Sequence, residues 1–168
     1  MLHQTISNLS TKTYSLGDII VHAKRMLSRD HGGGLLDRSW GPGDGRPVEE
    51  MKVAIDQCLQ EYLHSGNVHE AARCIHELNA KMFYHEIVKR AVVLALDKSA
   101  EQQEQMSNLL SYLMERDQLT SAQATKGFQR LHGMLSELVL DTPTASTILD
   151  QFTSRALEDK VLPADFKA

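Results

Sequence analysis

Cysteine and long apolar runs are scarce in this chain of 168 residues. It has two cysteines and no CxxC motif, which excludes a disulfide scaffold and a zinc ribbon. Its longest strongly apolar run, from Ala91 to Leu96, is far shorter than the roughly 20 residues that a membrane-spanning helix needs. The N-terminal segment MLHQTISNLSTKTYS lacks a basic stretch followed by an apolar one, so we expect no secretory signal. These absences predict a protein of the cytoplasm, with the nucleus as a second compartment.

Signatures of the common enzyme classes are also missing. The chain has no GxGxxG, GxxxxGK[ST], HExxH or GxSxG motif. His69, Cys74 and His76 share a predicted helix, but separations of five and two residues do not place two ligands on one helix face. We therefore predict a protein that is not an enzyme and that binds no metal or cofactor.

The charges are distributed unevenly along the chain. Residues 1–46 contain six Lys/Arg and four Asp/Glu, whereas residues 47–168 contain twelve Lys/Arg and eighteen Asp/Glu. Nucleic-acid-binding domains are usually basic on one face, so the acidic C-terminal part is not typical of one. Its charge favours attraction to a basic protein surface.

Glycine marks the boundary between these two parts. Six of the ten glycines lie between His31 and Pro47, in HGGGLLDRSWGPGDGRP. We predict that residues 1–46 form a short helix, capped by Ser15, followed by a glycine-rich linker whose Trp40 packs on the next domain. Residues 47–168 are predicted to form a helical domain.

Apolar residues recur with helical spacing almost throughout residues 47–168. Five helices are predicted to begin near Pro47, Asn67, Tyr84, Ser99 and Thr120, most of them at good capping or first-turn residues. Gly66 is suited to end the first helix. The third, from Tyr84 to about Asp97, is apolar on most sides and is therefore predicted to be central.

A break is predicted at SELVLDTP, because Pro143 cannot donate a backbone hydrogen bond inside a helix but suits the first turn of a new one. The sixth helix should therefore begin near Thr142. Its predicted core residues are Ala145, Ile148, Leu149, Phe152, Ala156 and Leu157, with Phe166 folding back after Pro163. No segment alternates as a strand does. We predict an all-α fold, a HEAT-like stack of antiparallel helical hairpins with about six or seven helices.

Four acidic residues are candidates for binding a partner. Glu61, Asp97, Glu137 and Asp141 each fall near the predicted C-terminal end of a helix or in the turn that follows. Carboxylates there oppose the helix dipole at a cost of about a few tenths of a kcal/mol each, which a binding role would offset. The alternative for Asp141 is a structural role as the N-cap of the helix near Pro143. For the other three the alternative is ordinary surface solvation.

Three separated segments give a more specific indication. EYLHSGNVHEAARCIHEL, YHEIVKRAVVLALDKS and LSELVLDTPTASTILDQF occur in this order, and RSWGPGDG precedes them. Together they resemble the MA-three domain, a helical module that occurs in tandem in translation-regulatory proteins. The resemblance covers about Val48 to Pro163, and the linker and first half resemble the second tandem copy. LDTP is closer to the first copy.

The resemblance implies a HEAT-like fold and a binding function. Well-known members of the family bind initiation factor 4A, the DEAD-box RNA helicase of cap-dependent translation, and hold it inactive in competition with RNA and scaffold factor 4G. By motif position, the acidic contact residues of the family fall here on Asp141, Glu137, Asp97 and Glu61. We expect a monomeric inhibitor or regulator with no membrane partner. The alternative is a scaffold or adaptor module in ribosome assembly or splicing, with a different protein partner.

Overall fold

The computed structural model describes residues 46–167. They form seven α-helices and one short 3-10 turn, and this part of the chain contains no β-strand. The helices are α1 (Val48–Ser65), α2 (Val68–Glu77), α3 (Tyr84–Ala95), α4 (Ala100–Glu115), α5 (Ser121–Gly133), α6 (Leu135–Asp141) and α7 (Ala145–Glu158), with the 3-10 turn at Lys81–Phe83 before α3. The predicted all-α class is confirmed.

The helix boundaries follow local capping chemistry. Gly66 ends α1 in the left-handed region (φ 69°), which glycine adopts without strain, and its N–H donates to the carbonyl of Tyr62. The side chains of Asn67 and Ser99 accept hydrogen bonds from backbone N–H groups in the first turns of α2 and α4. A reciprocal capping box joins Thr120 to Gln123 at the start of α5. These starts and stops agree with the sequence prediction.

Helix α3 lies at the centre of the fold. It packs against α1, α4 and α5, while α1 pairs with α2 and α4 pairs with α7. Val88, Ala91, Val92 and Ala95 on α3 have no solvent exposure. A helix surrounded on several sides must be apolar around most of its circumference, as the sequence of α3 is. The prediction of a central third helix is therefore confirmed.

Three predicted helix boundaries differ from the structure. Residues 135–141 form helix α6, where the sequence predicted a break, and α7 begins at Ala145 rather than near Thr142. Helix α3 ends at Ala95, two residues before Asp97. On α7, Leu149 and Phe152 are buried as predicted, but Leu157 is exposed. Phe166 does fold back, with its ring 6.3 Å from that of Phe128 and 6.1 Å from that of His132.

The contact between α3 and α5 depends on a glycine. A Cβ atom added to Gly127 would lie 2.7 Å from Cβ of Val88, 2.8 Å from its Cγ1 and 2.9 Å from the carbonyl oxygen of His85. These distances are shorter than carbon atoms tolerate, and two of the three neighbouring atoms belong to or adjoin the backbone. Gly127 therefore sets how closely the two helices approach.

Gly127→Ala is expected to destabilise the domain by about 1–3 kcal/mol, because overpacking exceeds the gain of up to about 1 kcal/mol that alanine brings to a helix interior. Gly133→Ala is the matched control, since a Cβ there meets nothing within 4 Å. It should leave stability unchanged or raise it slightly. Urea unfolding of both variants measures the difference. An increase in stability from Gly127→Ala would contradict the close approach.

A buried carboxylate links three helices through ion pairs. Glu86 on α3 is 2% exposed, and its carboxylate lies 2.5 Å from Nζ of Lys89, 3.5 Å from Nε of Arg90 and 3.4 Å from Nη1 of Arg130 on α5. Arg90 also pairs with Asp56 on α1. The network therefore joins α1, α3 and α5.

The buried imidazole of His85 gives the domain a pH dependence. Burial lowers the pKa of His85 below its ordinary value of 6.5, and the nearby Arg130 and Lys126 lower it further, against a smaller opposing effect of Glu86. The unfolded chain consequently binds more protons at this histidine than the folded chain does in the window below about pH 6.5. The stability associated with neutral His85 is present above that pH and is lost as the pH falls.

We therefore expect the melting temperature of the parent to fall as the pH is lowered from about 7.5 to 5.5. The melting temperature of His85→Gln should fall less steeply over this interval, whatever the stability of the variant at the upper pH. Differential scanning calorimetry at several pH values provides both slopes. Equal slopes for the two proteins would show that His85 takes up its proton as readily in the fold as in the unfolded chain.

The predicted N-terminal helix, the linker and Trp40 lie outside the described residues. The boundary between residues 1–46 and 47–168 remains a prediction for the same reason. Within residues 46–167, the helices are too short or too polar to span a lipid bilayer.

Candidate functional site

The site begins with α6, a helix of seven residues between α5 and α7. Met134 ends α5 and starts α6, since its carbonyl accepts hydrogen bonds from the N–H groups of Glu137 (3.0 Å) and Leu138 (3.1 Å). The Leu138 side chain is buried and attaches α6 to the core. The N–H of Thr142 donates to the carbonyl of Leu138 over 2.8 Å, and Pro143 follows. Leu135 also packs against the core, and the remaining side chains of α6 are exposed.

Glu137 and Asp141 occupy one face of α6. They are four residues apart, which places neighbouring side chains about 5–6 Å apart between Cβ atoms on a helix. Both are exposed, and among the described residues neither carboxylate has an ion-pair partner. Glu137 lies in the first turn, where the helix dipole favours it, and Asp141 is the last helical residue, where the dipole opposes it.

The structure excludes the N-cap alternative for Asp141. Helix α7 begins at Ala145, its N-cap position is Thr144, and no side chain caps it. Asp141 instead ends the preceding helix, so it is not the structural cap that the sequence suggested. The sequence prediction also placed Glu137 near a helix C-terminus, whereas it lies near an N-terminus.

An apolar residue stands beside these carboxylates. Leu140 is 84% exposed, more than any other large hydrophobic residue in the described part of the chain, and Val139 is 36% exposed. Single exposed leucines are common on protein surfaces, but this one is adjacent to two acids on the same short helix that have no partner within residues 46–167. We refer to Glu137, Leu140 and Asp141 together as the α6 surface. An apolar centre beside charged groups is the usual composition of a protein-binding surface.

Leu140 was missed by the sequence analysis. The segment LVLD contains three consecutive apolar residues, Leu138, Val139 and Leu140. A helix turns 3.6 residues per revolution, so three neighbours cannot all face one core, and at least one must point away. That run was the signal that could have identified it.

The other two candidates lie on different elements. Asp97 is exposed in the turn after α3, and its carboxylate pairs with Nζ of Lys98 over 3.1 Å. Glu61 is exposed on α1, where it lines a small cleft with Cys58, Tyr62 and Cys74. Helix α6 packs chiefly against α5 and α7. The structure thus brings Glu137 and Asp141 together and leaves Asp97 and Glu61 as separate acidic positions.

The described residues offer no site with evident catalytic or metal-binding geometry. No group of three or more His, Cys, Asp or Glu side chains within residues 46–167 converges as metal ligands would. The best-defined grooves there are shallow and are lined mainly by polar side chains that pair with one another, such as Glu104 with Arg155 and His69 with Tyr112.

Comparison with known proteins agrees with this arrangement. The sequence profile described as the MA3 domain matches residues 51–163, which include all seven helices in whole or in part. The chain is 38% identical over 149 residues to MA3 domain-containing translation regulatory factor 1 of Arabidopsis thaliana, covering 89% of this chain and 21% of that protein. It is 37% identical over 163 residues to factor 4 of the same plant, covering 97% of this chain and 25% of the relative.

An animal protein is also similar. Programmed cell death protein 4 of Rattus norvegicus is 32% identical over 139 residues, covering 82% of this chain and 30% of that protein. The chain therefore spans less than a third of the length of these curated relatives. The profile match and these identities, together with the all-helical fold, show that the chain belongs to the MA3 (MA-three) domain family.

Proposed function

We propose that this chain is a protein-interaction module that binds the DEAD-box helicase initiation factor 4A and regulates cap-dependent translation initiation without catalysing a reaction. The observation that carries the proposal is the α6 surface, where two carboxylates without an ion-pair partner in the described part of the chain lie beside an exposed leucine. Relatives named as translation regulatory factors support the regulatory role.

The charge of the domain supports a basic partner. Residues 47–168 carry eighteen acidic and twelve basic residues, so their field attracts a positively charged surface and speeds encounter with it. At short range, a carboxylate pair of this spacing suits arginine, whose guanidinium donates several hydrogen bonds in a fixed plane. An RNA helicase must carry a basic surface to hold the phosphate backbone.

The same charge complementarity provides a mechanism by which binding of this domain would inhibit the helicase. A domain whose carboxylates occupy basic helicase residues would compete with RNA for that surface, and competition with scaffold factor 4G would follow where their surfaces overlap. Asp97 and Glu61 are proposed as secondary contacts, because each is exposed and acidic but belongs to another element. The proposed location is the cytoplasm, where translation initiation occurs.

The direct test is titration calorimetry of the whole chain against purified initiation factor 4A at about 0.1 M and about 0.5 M salt. We expect a one-to-one complex that weakens at the higher salt, because screening shortens the reach of surface charges. A parallel assay should show a lower RNA-stimulated ATPase rate of the helicase. Absence of heat and of inhibition at both salt concentrations would refute the proposal and favour the ribosome-assembly or splicing alternative.

A further inference from the structure

The two cysteines of the chain face each other across the first helical hairpin. Cys58 lies on α1 and Cys74 lies on α2. The two helices pack together, and along the chain α1 is separated from α2 by Gly66 and Asn67 alone. The two Sγ atoms are 2.6 Å apart with both residues in the thiol form. Disulfide formation requires two sulfur atoms that can come into contact, and these two already are in contact.

We propose that Cys58 and Cys74 form a reversible disulfide, joining α1 to α2, when the protein meets a small neutral peroxide. The proposal rests on the contact of the two thiols across the hairpin and on their unequal accessibility. Cys58 is buried, whereas Cys74 is half-buried beside a surface cleft. It does not depend on the proposed binding function.

The cleft determines which oxidant can reach the thiols. It is lined by Cys58, Cys74, Tyr62 and the carboxylates of Glu61 and Glu70. The Glu70 carboxylate is ion-paired with Arg73, so the Glu61 carboxylate supplies the negative charge that repels an anionic oxidant such as glutathione disulfide, and this charge does not hinder an uncharged molecule. Hydrogen peroxide is small and neutral, and it fits a narrow opening of this kind.

The chemistry assigns different roles to the two sulfur atoms. Cys74 is the more exposed of the two residues and is therefore the group in reach of the oxidant, while burial and the neighbours Cys74 and Glu61 raise the pKa of Cys58 and keep its thiol protonated. The Cys74 thiolate attacks peroxide, the O–O bond breaks, and sulfenic acid and water form once hydroxide takes up a proton. Cys58 Sγ then attacks Cys74 Sγ and displaces hydroxide, which leaves as water with the Cys58 proton. In total, two thiols and one hydrogen peroxide give one disulfide and two waters.

The expected physical effect is a more stable hairpin. A cross-link between residues 58 and 74 closes a loop of about 15 residues and restricts the unfolded chain. For a domain of this size we expect the melting temperature to rise by roughly 5–15 °C on oxidation and to return when a dithiol reductant is added.

The experiment is simple because the chain has only these two cysteines. The native whole chain is treated with a small excess of hydrogen peroxide, and the remaining thiols are blocked with an alkylating reagent. The chain is then denatured, and its mass is measured by mass spectrometry. We expect loss of two hydrogens, no alkylation, and a linked peptide containing Cys58 and Cys74, all reversed by dithiothreitol. Cys58→Ala is the control, and it should instead accumulate oxidised forms of Cys74 or intermolecular dimers.

Several results would overturn the proposal. Two alkylated thiols after peroxide treatment would show that the pair does not react. Sulfinic acid at Cys74 without a linked peptide would show that Cys58 cannot reach the sulfenic acid. A disulfide that lowers the melting temperature would show that the native hairpin does not accommodate the bond. The melting temperature of the reduced chain, measured alongside, confirms that each sample is folded.

Discussion

Glu86→Ala is expected to lower the free energy of unfolding by about 2–3 kcal/mol, the largest stability effect that we predict for a charged residue of this domain. Removing one partner of a buried ion pair typically costs about 3–5 kcal/mol, because the other charge is left without compensation. The cost here should fall below that range, since Lys89, Arg90 and Arg130 are partly exposed and can turn toward water. Urea denaturation followed by circular dichroism measures it.

The matched control is Glu49→Ala on α1. Glu49 also pairs with a lysine three residues away, but its carboxylate is exposed, and burial does not amplify the attraction. That variant should unfold at the urea concentration of the parent. If both variants behave alike, the Glu86 network does not contribute to stability despite its burial.

The helices could be predicted from local information wherever a cap was present. Three helix starts are marked by side chains that accept a hydrogen bond from a backbone N–H group, those of Asn67, Ser99 and Thr120. The end of α1 is marked by Gly66, which adopts the left-handed conformation. Helix α6 has no such cap. It forms because the Met134 carbonyl starts it and burial of Leu138 holds it, and the latter depends on tertiary packing that the sequence does not display.

Other features could not be predicted from the sequence because they depend on contacts between residues that are distant along the chain. YHEIVKR contains a glutamate within an apolar helix, and its partner Arg130 lies 44 residues further along the chain. Cys58 and Cys74 could be recognised as a pair only once α1 and α2 were placed side by side. The candidates Glu137 and Asp141 came from their predicted positions near helix ends and from resemblance to a family motif. The structure adds that they share one face of α6, that neither is paired among the described residues, and that Leu140 lies between them in sequence.

The charge of the α6 surface can be tested without changing its shape. We expect the double variant Glu137→Gln and Asp141→Asn to weaken binding to initiation factor 4A by about thirtyfold to a few thousandfold, because losing one partner of a desolvated charge pair costs about 2–5 kcal/mol. The melting temperature should remain nearly unchanged, since both side chains are exposed and Asp141 does not cap α7. Calorimetric titration gives the affinity.

The matched control removes the same two charges elsewhere, through Glu115→Gln and Asp165→Asn, which are exposed residues outside α6. It should retain most of the affinity, because only the long-range field of the domain changes. Equal losses in the two double variants would mean that net charge, not the α6 surface, determines binding. Parent-like affinity in the α6 double variant would reject the acidic contact altogether.

Leu140→Ser separates the apolar contribution of the same surface from the charged one. Burying a leucine side chain contributes about 1.5–3 kcal/mol. If Leu140 enters the interface, replacing it by serine should therefore lower the affinity for initiation factor 4A roughly tenfold to a hundredfold. Stability should not fall, because this side chain is 84% exposed in the free domain. Loss of the carboxylates removes part of the salt dependence of binding, whereas loss of an apolar contact accelerates dissociation and leaves the salt dependence unchanged. Surface plasmon resonance at two salt concentrations should therefore show faster dissociation for Leu140→Ser with a parent-like salt dependence, and an unchanged dissociation rate would place Leu140 outside the contact.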